Sequence, residues 1–234
     1  MKYAWKVAVA AAVLTSSAGA AKAVSLSGPT GVFLNPTAGV AKEGAPNVGV
    51  DYLRYSNDGV HLNRVGVAGA IGISDKAEIS GAFHRYSGDA RFNEWNVGAK
   101  YQVLNQKSGL SVAVGADYQK QTNGGDHRTD GYVVATKPFS TSPDRAPVIG
   151  SLGLRYNSYG ASNNQADVFA SVMVPLTRSG ELHLCGELGS KRSDAGESEY
   201  ALGLHYAPTG SSYTVAAGIA RDIVVVQVGY QFGK

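Results

Sequence analysis

From Asn47 to the C-terminus, apolar and polar positions alternate with a period of two, and the alternation restarts after each cluster of turn residues. The last stretch shows the pattern most plainly. Val224, Val226, Val228, Tyr230 and Phe232 share one face, while Val225, Gln227, Gly229 and Gln231 share the other. The same reading predicts strands over 47–55, 63–73, 76–86, 91–104, 110–119, 131–138, 148–157, 165–176, 181–189, 199–207 and 212–220. Short turns such as Asn57-Asp58-Gly59 and Ser74-Asp75 separate some of them, and longer connections are expected at 122–129, 140–147, 160–164 and 191–197. The sixth strand is the least regular, because Val133, Val134 and Ala135 blur the alternation.

One face of nearly every predicted strand is apolar and the other carries small, polar or charged groups. In the second strand Val65, Val67, Ile71 and Ile73 oppose Arg64, Gly66, Ala68, Ala70 and Gly72. In the fourth Trp95, Val97, Ala99, Tyr101 and Val103 oppose Glu94, Asn96, Gly98, Lys100 and Gln102. The aromatics of the apolar face fall toward strand ends: Tyr52, Tyr118, Tyr132, Tyr156 and Tyr200 at one end, Tyr101, Tyr206, Tyr213, Tyr230 and Phe232 at the other. Two aromatic girdles are the mark of strands crossing a membrane, whereas a soluble sandwich turns polar groups outward. The predicted lengths suit tilted strands crossing a bilayer, which need roughly 9 to 11 residues.

The first residues set the compartment. Lys2 and Lys6 precede the apolar run Val7 to Leu14, and Ala21-Lys22-Ala23 offers a small-residue cleavage site, so residues 1–23 read as a secretory signal. Cys185 is the only cysteine of the 234 residues, which leaves an exported chain without an internal disulfide. Closing a sheet supplies stability by another route. The net charge of +3, with acids and bases interspersed, provides no basic stripe and argues against a nucleic-acid partner.

With these features in hand, the C-terminal strand ending in Tyr230 and Phe232 resembles the terminal signature of bacterial outer-membrane β-barrels, although Gly233 and Lys234 follow it. The resemblance implies an antiparallel transmembrane β-barrel of about 12 strands in the outer membrane. It also implies that Tyr230 and Phe232 are read by the barrel-assembly machinery and that the outer face meets lipid. Ahead of the strands, Gly28-Pro29-Thr30-Gly31-Val32-Phe33-Leu34-Asn35-Pro36-Thr37-Ala38 is similar to the mature N-termini of YjbH-like proteins, which implies a role in surface polysaccharide export. The expected organisation is therefore a signal peptide over 1–23, a Gly/Pro-rich segment over 24–44 and the barrel over 45–234. The segment would enter the lumen, line its mouth, or form an irregular leader.

Candidate chemistry lies on the inward face. Asp51, Arg64, Glu78, Glu94, Lys100, Asp117, Arg155, Asp167, Glu181, His183 and Glu187 are expected to face the lumen, with Lys137, His84 and His205. Such charges either select small polar solutes by sign, the acidic excess favouring cations, or pair across a filled lumen. The first expectation is a narrow porin-like channel; the alternative is a closed structural or assembly-partner barrel. An outer-membrane hydrolase or acyltransferase is the remaining class, with His84 and Ser87 as the nearest nucleophile and base pair. Glu181, His183 and Glu187 share a predicted face, but neighbours two apart along a strand are about 7 Å apart, too far for joint metal ligation. Asp126 and Asp130 lack the spacing of a known Ca²⁺ loop. No catalytic residue, metal or cofactor is expected.

Overall fold

A computed structural model describes residues 24–57, 60–106, 109–122, 127–139, 144–159, 163–190, 199–221 and 223–233. Residues 1–23, expected to be a secretory signal, and Asp126 therefore lie outside the described residues. Twelve strands follow in order: β1 (Asn47–Asn57), β2 (Val60–Gly72), β3 (Ala77–Gly88), β4 (Phe92–Asn105), β5 (Ser111–Gln121), β6 (His127–Phe139), β7 (Val148–Tyr159), β8 (Asn163–Pro175), β9 (Leu182–Gly189), β10 (Tyr200–Tyr206), β11 (Tyr213–Ala220) and β12 (Ile223–Gln231). Each pairs antiparallel with its sequence neighbours, and β1 pairs with β12, so the sheet closes into a barrel without free edges. The closing ladder runs from Asn47 opposite Gln231 to Tyr55 opposite Ile223.

Period-two patterning and closure together decide which face is inside. On β12 Val224, Val226, Val228 and Tyr230 are exposed, whereas Val225, Gln227 and Gln231 are buried. Around the circumference the exposed face carries Val50, Val65, Val97, Leu152, Leu154, Val168, Leu188, Leu202 and Ile219. A soluble monomer seldom exposes an apolar patch beyond a few hundred Å². The apolar band reverses the soluble arrangement, as a barrel set in lipid requires. Aromatics border it: Tyr101, Tyr206, Tyr213, Tyr230 and Phe232 are exposed toward the rim nearer the chain ends, and Tyr52, Tyr156 and Tyr200 toward the other.

Inside, residues 24–41 are almost entirely buried. Leu26, Val32 and Phe33 join Leu53, Met173, Cys185, Ala201, Ala216 and Val225 of the wall in one apolar cluster. Ala38 joins Ala113, Tyr132, Val134 and Phe169 in another. Two expected orientations are corrected here. Tyr132, expected among the outward aromatics, is buried on the inner face with Asp130 and Val134, and Lys137, expected inward, is exposed. The cause is the segment itself: where β5 and β6 meet Ala38 the inner face is apolar, so the contrast that sets the phase of a strand disappears there. β6 also begins at His127, four residues before the predicted 131.

Candidate functional site: the filled lumen

The N-terminal segment folds as a compact plug held by its own backbone. Ser25 N–H donates to Pro29 O at 2.8 Å, Leu26 N–H to Phe33 O at 2.9 Å and Thr37 N–H to Thr30 O at 3.1 Å. Gly28 has φ 114°, a left-handed conformation that suits glycine, and a Cβ there would lie 3.0 Å from Gly81 O on β3. Pro29 and Pro36, which argue against a strand, have no backbone N–H, so burying them leaves two fewer donors to satisfy.

Two wall carboxylates take up much of the remaining demand. Glu78 on β3 accepts from Thr30 N–H at 2.9 Å, Thr30 Oγ1–H at 2.6 Å and Ala41 N–H at 2.6 Å, and pairs with Lys100 Nζ at 3.0 Å. Lys100 in turn donates to Thr30 O and Thr37 O at 3.0 and 3.1 Å. Glu187 on β9 accepts from the consecutive amides of Phe33, Leu34 and Asn35 at 3.3, 2.7 and 3.1 Å. Gln102, Thr136, Arg155 and Gln227 complete the ring, through Ala38 O, Ala38 N–H, Asn35 Oδ1 and Val24 O respectively. A buried carboxylate is tolerable only when its acceptors are met, here by backbone amides at Glu187 and by amides, a hydroxyl and a cation at Glu78.

Beyond the plug, toward the rim opposite the chain ends, lies a cavity of about 200 Å³. Leu26, Ser27, Leu34 and Pro36 of the plug form part of its lining, and charged residues of β2 to β7 form much of the rest. Arg64 pairs with Asp51 at 2.8 Å, Arg155 with Asp167 at 3.2 Å, and Arg128 with Asp130. His84 Nδ1 lies 3.1 Å from Glu94 Oε1. Inner-face glycines make room for these groups: a Cβ on Gly98 would meet Asp117 Oδ1 at 1.9 Å, and one on Gly115 would meet the Tyr132 ring at 2.3 Å.

The structure thus divides the expected lumen residues into two groups. Glu78, Lys100 and Glu187 hold the plug, while Asp51, Arg64, Glu94, Asp117, Arg155 and Asp167 belong to the network around the cavity. His183 is buried beside His205, ring centroids 6.5 Å apart. Glu181 is the exception and is corrected: it precedes β9 in the turn, where its Oε1 accepts from Thr209 N–H at 3.0 Å. That bond to the backbone of Thr209, with a further one from its side chain, holds the Glu181 carboxyl below the usual carboxylate range. His84 and Ser87 stand on opposite faces of β3 and do not meet. Asp130 is engaged by Arg128. Among the described residues no cluster of three or more His, Cys, Asp or Glu side chains suits a metal ion.

The sequence reading omitted Arg128, Tyr132 and Glu199 from the lumen residues and missed the roles of Thr30, Gln102 and Gln227. The signal available was the phase of β6: Arg128, Asp130 and Tyr132 recur at every second position.

No family model matches the sequence, and no curated protein matches it either, so the likeness of 28–38 to YjbH-like proteins finds no support there. Solved structures do match. The NanC porin is 16% identical over 81% of this chain and 100% of its own, with a TM-score of 0.57. In fold, the chain is similar to outer-membrane porins. The KdgM porin, in a structure described as a complex with disordered oligogalacturonate, is 15% identical over 80% of this chain and 99% of its own, TM-score 0.53. An outer-membrane channel from Pseudomonas putida F1 is 10% identical over 86% of this chain and 100% of its own, TM-score 0.55.

Proposed function

We propose that the protein is a narrow porin-like channel of the outer membrane for small polar solutes, with the N-terminal segment as a plug that constricts the lumen. The observation that carries this reading is the charged cavity above the plug: an assembly barrel needs no solute-sized chamber lined by Arg64, Glu94, Asp117 and Arg155. Selectivity in such pores comes from rings of charge at a constriction. The similarity to porins supports the same reading at the level of fold. Residues 1–23 direct export, Tyr230 and Phe232 serve the barrel-assembly machinery, and the apolar band of the barrel contacts lipid.

A second reading is favoured by one specific observation, the dense bonding of the plug to Glu78 and Glu187. A lumen sealed in this way suits a closed barrel acting through partners, for which surface polysaccharide export is the role that the YjbH-like stretch suggests. Single-channel recording of the refolded mature chain, beside a variant lacking residues 24–44, separates the two. Discrete steps from the intact chain establish the channel. Steps only from the variant make the plug a gate that must move, and silence from both overturns the channel in favour of the closed barrel.

A further inference from the structure

Three strands that run away from the chain-end rim repeat one pattern on the outer face. Tyr52-Leu53-Arg54 on β1, Phe83-His84-Arg85 on β3 and Tyr118-Gln119-Lys120 on β5 each place a cation two residues beyond an outward aromatic. The middle residues, Leu53, His84 and Gln119, face the chamber instead. Arg54, Arg85 and Lys120 are exposed, and among the described residues none of them pairs with a carboxylate. Asp89, in the turn after β3, accepts from His61 N–H at 2.7 Å. Among the described residues the outward positions of β7 to β12 carry no cation, so the three occupy one sector of the wall.

The register puts these cations at one height. A row of paired residues climbs across the sheet: Val48, near the chain-end rim of β1, leads through Gly69, Gly81 and Val97 to Tyr118 near the far end of β5. Tilted barrel strands require such a climb. Arg54 lies in a row with Asn63 and Ser87, so Arg85 stands two residues below that row. Arg85 lies opposite Asn93, and Lys120 opposite Trp95, so Lys120 stands two residues below the row of Arg85. At a tilt of about 40°, two strand spacings of about 4.8 Å climb roughly 8 Å along the strand, and two residues take back about 6.7 Å. Climb and step nearly cancel, which leaves a level belt. Trp95 lies within it, opposite both Phe83 and Lys120, with its ring 5.4 Å from that of Tyr118.

Outward aromatics mark the depth at which hydrocarbon gives way to headgroups. Two residues farther along a strand tilted by about 40°, each cation stands about 5 Å beyond its aromatic, among the polar headgroups. We propose that Arg54, Arg85 and Lys120 form a docking surface for lipids of that leaflet whose phosphate headgroups carry net negative charge. A guanidinium takes two phosphate oxygens in its planar fork, and an ammonium takes a phosphate as a point charge. Neighbouring cations are roughly 12 Å apart around the belt, so each meets its own headgroup and no convergence on a single one is needed. The inference rests on the place of the barrel in lipid and not on whether it conducts.

Trp95 supplies the test. The chain holds two tryptophans, Trp5 and Trp95, so in the refolded full-length chain carrying Trp5→Phe the fluorescence reports from within the belt. The protein is placed in phosphatidylcholine bilayers containing a minor fraction of brominated phosphatidic acid or, in parallel, the same fraction of brominated phosphatidylcholine. Phosphatidic acid is expected to quench Trp95 more strongly, by a local preference of about 5-fold or more, the value for a single basic residue at an anionic surface. The double variant Arg85→Gln/Lys120→Gln should abolish the preference, and Arg178→Gln, in a turn at the chain-end rim, should leave it unchanged. Circular dichroism and heat-modifiable gel migration establish that each variant is folded; if the double variant does not fold, Lys120→Gln alone decides, by at least halving the preference. Equal quenching by the two lipids, or a preference that survives in the folded variants, would overturn the proposal. Preference shown by a barrel that never conducts would support the docking surface and count against the channel alone.

Discussion

Replacing Glu187 by glutamine tests the plug with almost no change in volume. The carboxylate accepts three consecutive amides, those of Phe33, Leu34 and Asn35. Hydrogen bonds to a charged group contribute about 1.5–3 kcal/mol each, which sets an additive ceiling of roughly 4.5–9 kcal/mol. Glutamine presents one acceptor oxygen and sets its NH₂ against backbone donors, so at most two amides are recovered, at about 1 kcal/mol each. Removing a buried charge also returns several kcal/mol of desolvation. The net loss of plug docking should therefore be about 2–4 kcal/mol, and the undocked fraction should rise roughly 30- to 1,000-fold. The wall should not respond, because its ladders bypass this side chain. Hydrogen exchange with mass-spectrometric readout is the direct assay. Faster exchange confined to a peptide spanning 24–41 is the expected result. Unchanged protection of the amides of 33–35, or an equal loss in β9 and its neighbours, would refute the reasoning.

Three further outcomes follow from the same structure. Val226→Arg places a charge at mid-strand on the outer face, 41% exposed among apolar neighbours; in lipid it should cost about 2–4 kcal/mol and block assembly in a refolding assay read by gel migration. Lys100→Met leaves Glu78 without its cation, a loss of about 3–5 kcal/mol, and should release the plug, measured as increased cleavage of residues 24–41 by a nonspecific protease. Cys185 is fully buried in the apolar cluster that also holds Leu26 and Phe33 of the plug and Met173 of the wall, so a maleimide should label it in the unfolded chain or on plug release, and not in the native barrel.

The sequence by itself determined the wall. Strand periodicity is a local property, and the faces of β1 to β5 and β7 to β12 could be assigned from alternate residues alone, as Val224 to Phe232 shows. It also determined the kind of residue inside, since charges at every second position on a sheet have nowhere else to face. What it did not determine is what those charges meet. Glu78 and Thr30 are 48 residues apart, and Glu187 and Leu34 are 153 apart, so no local pattern distinguishes a plug anchor from a pore-lining charge. The same long-range contact erased the one local signal that failed: Ala38 makes the inner face of β6 apolar, and Tyr132 was therefore assigned outward. Glu181 was misplaced for the opposite reason, because a polar residue at a strand end satisfies the alternation whether it lies in the strand or in the turn. Alternation reports the side of the sheet on which a residue lies. Only closure of the barrel around residues 24–41 decided which charges hold the plug and which line the chamber above it.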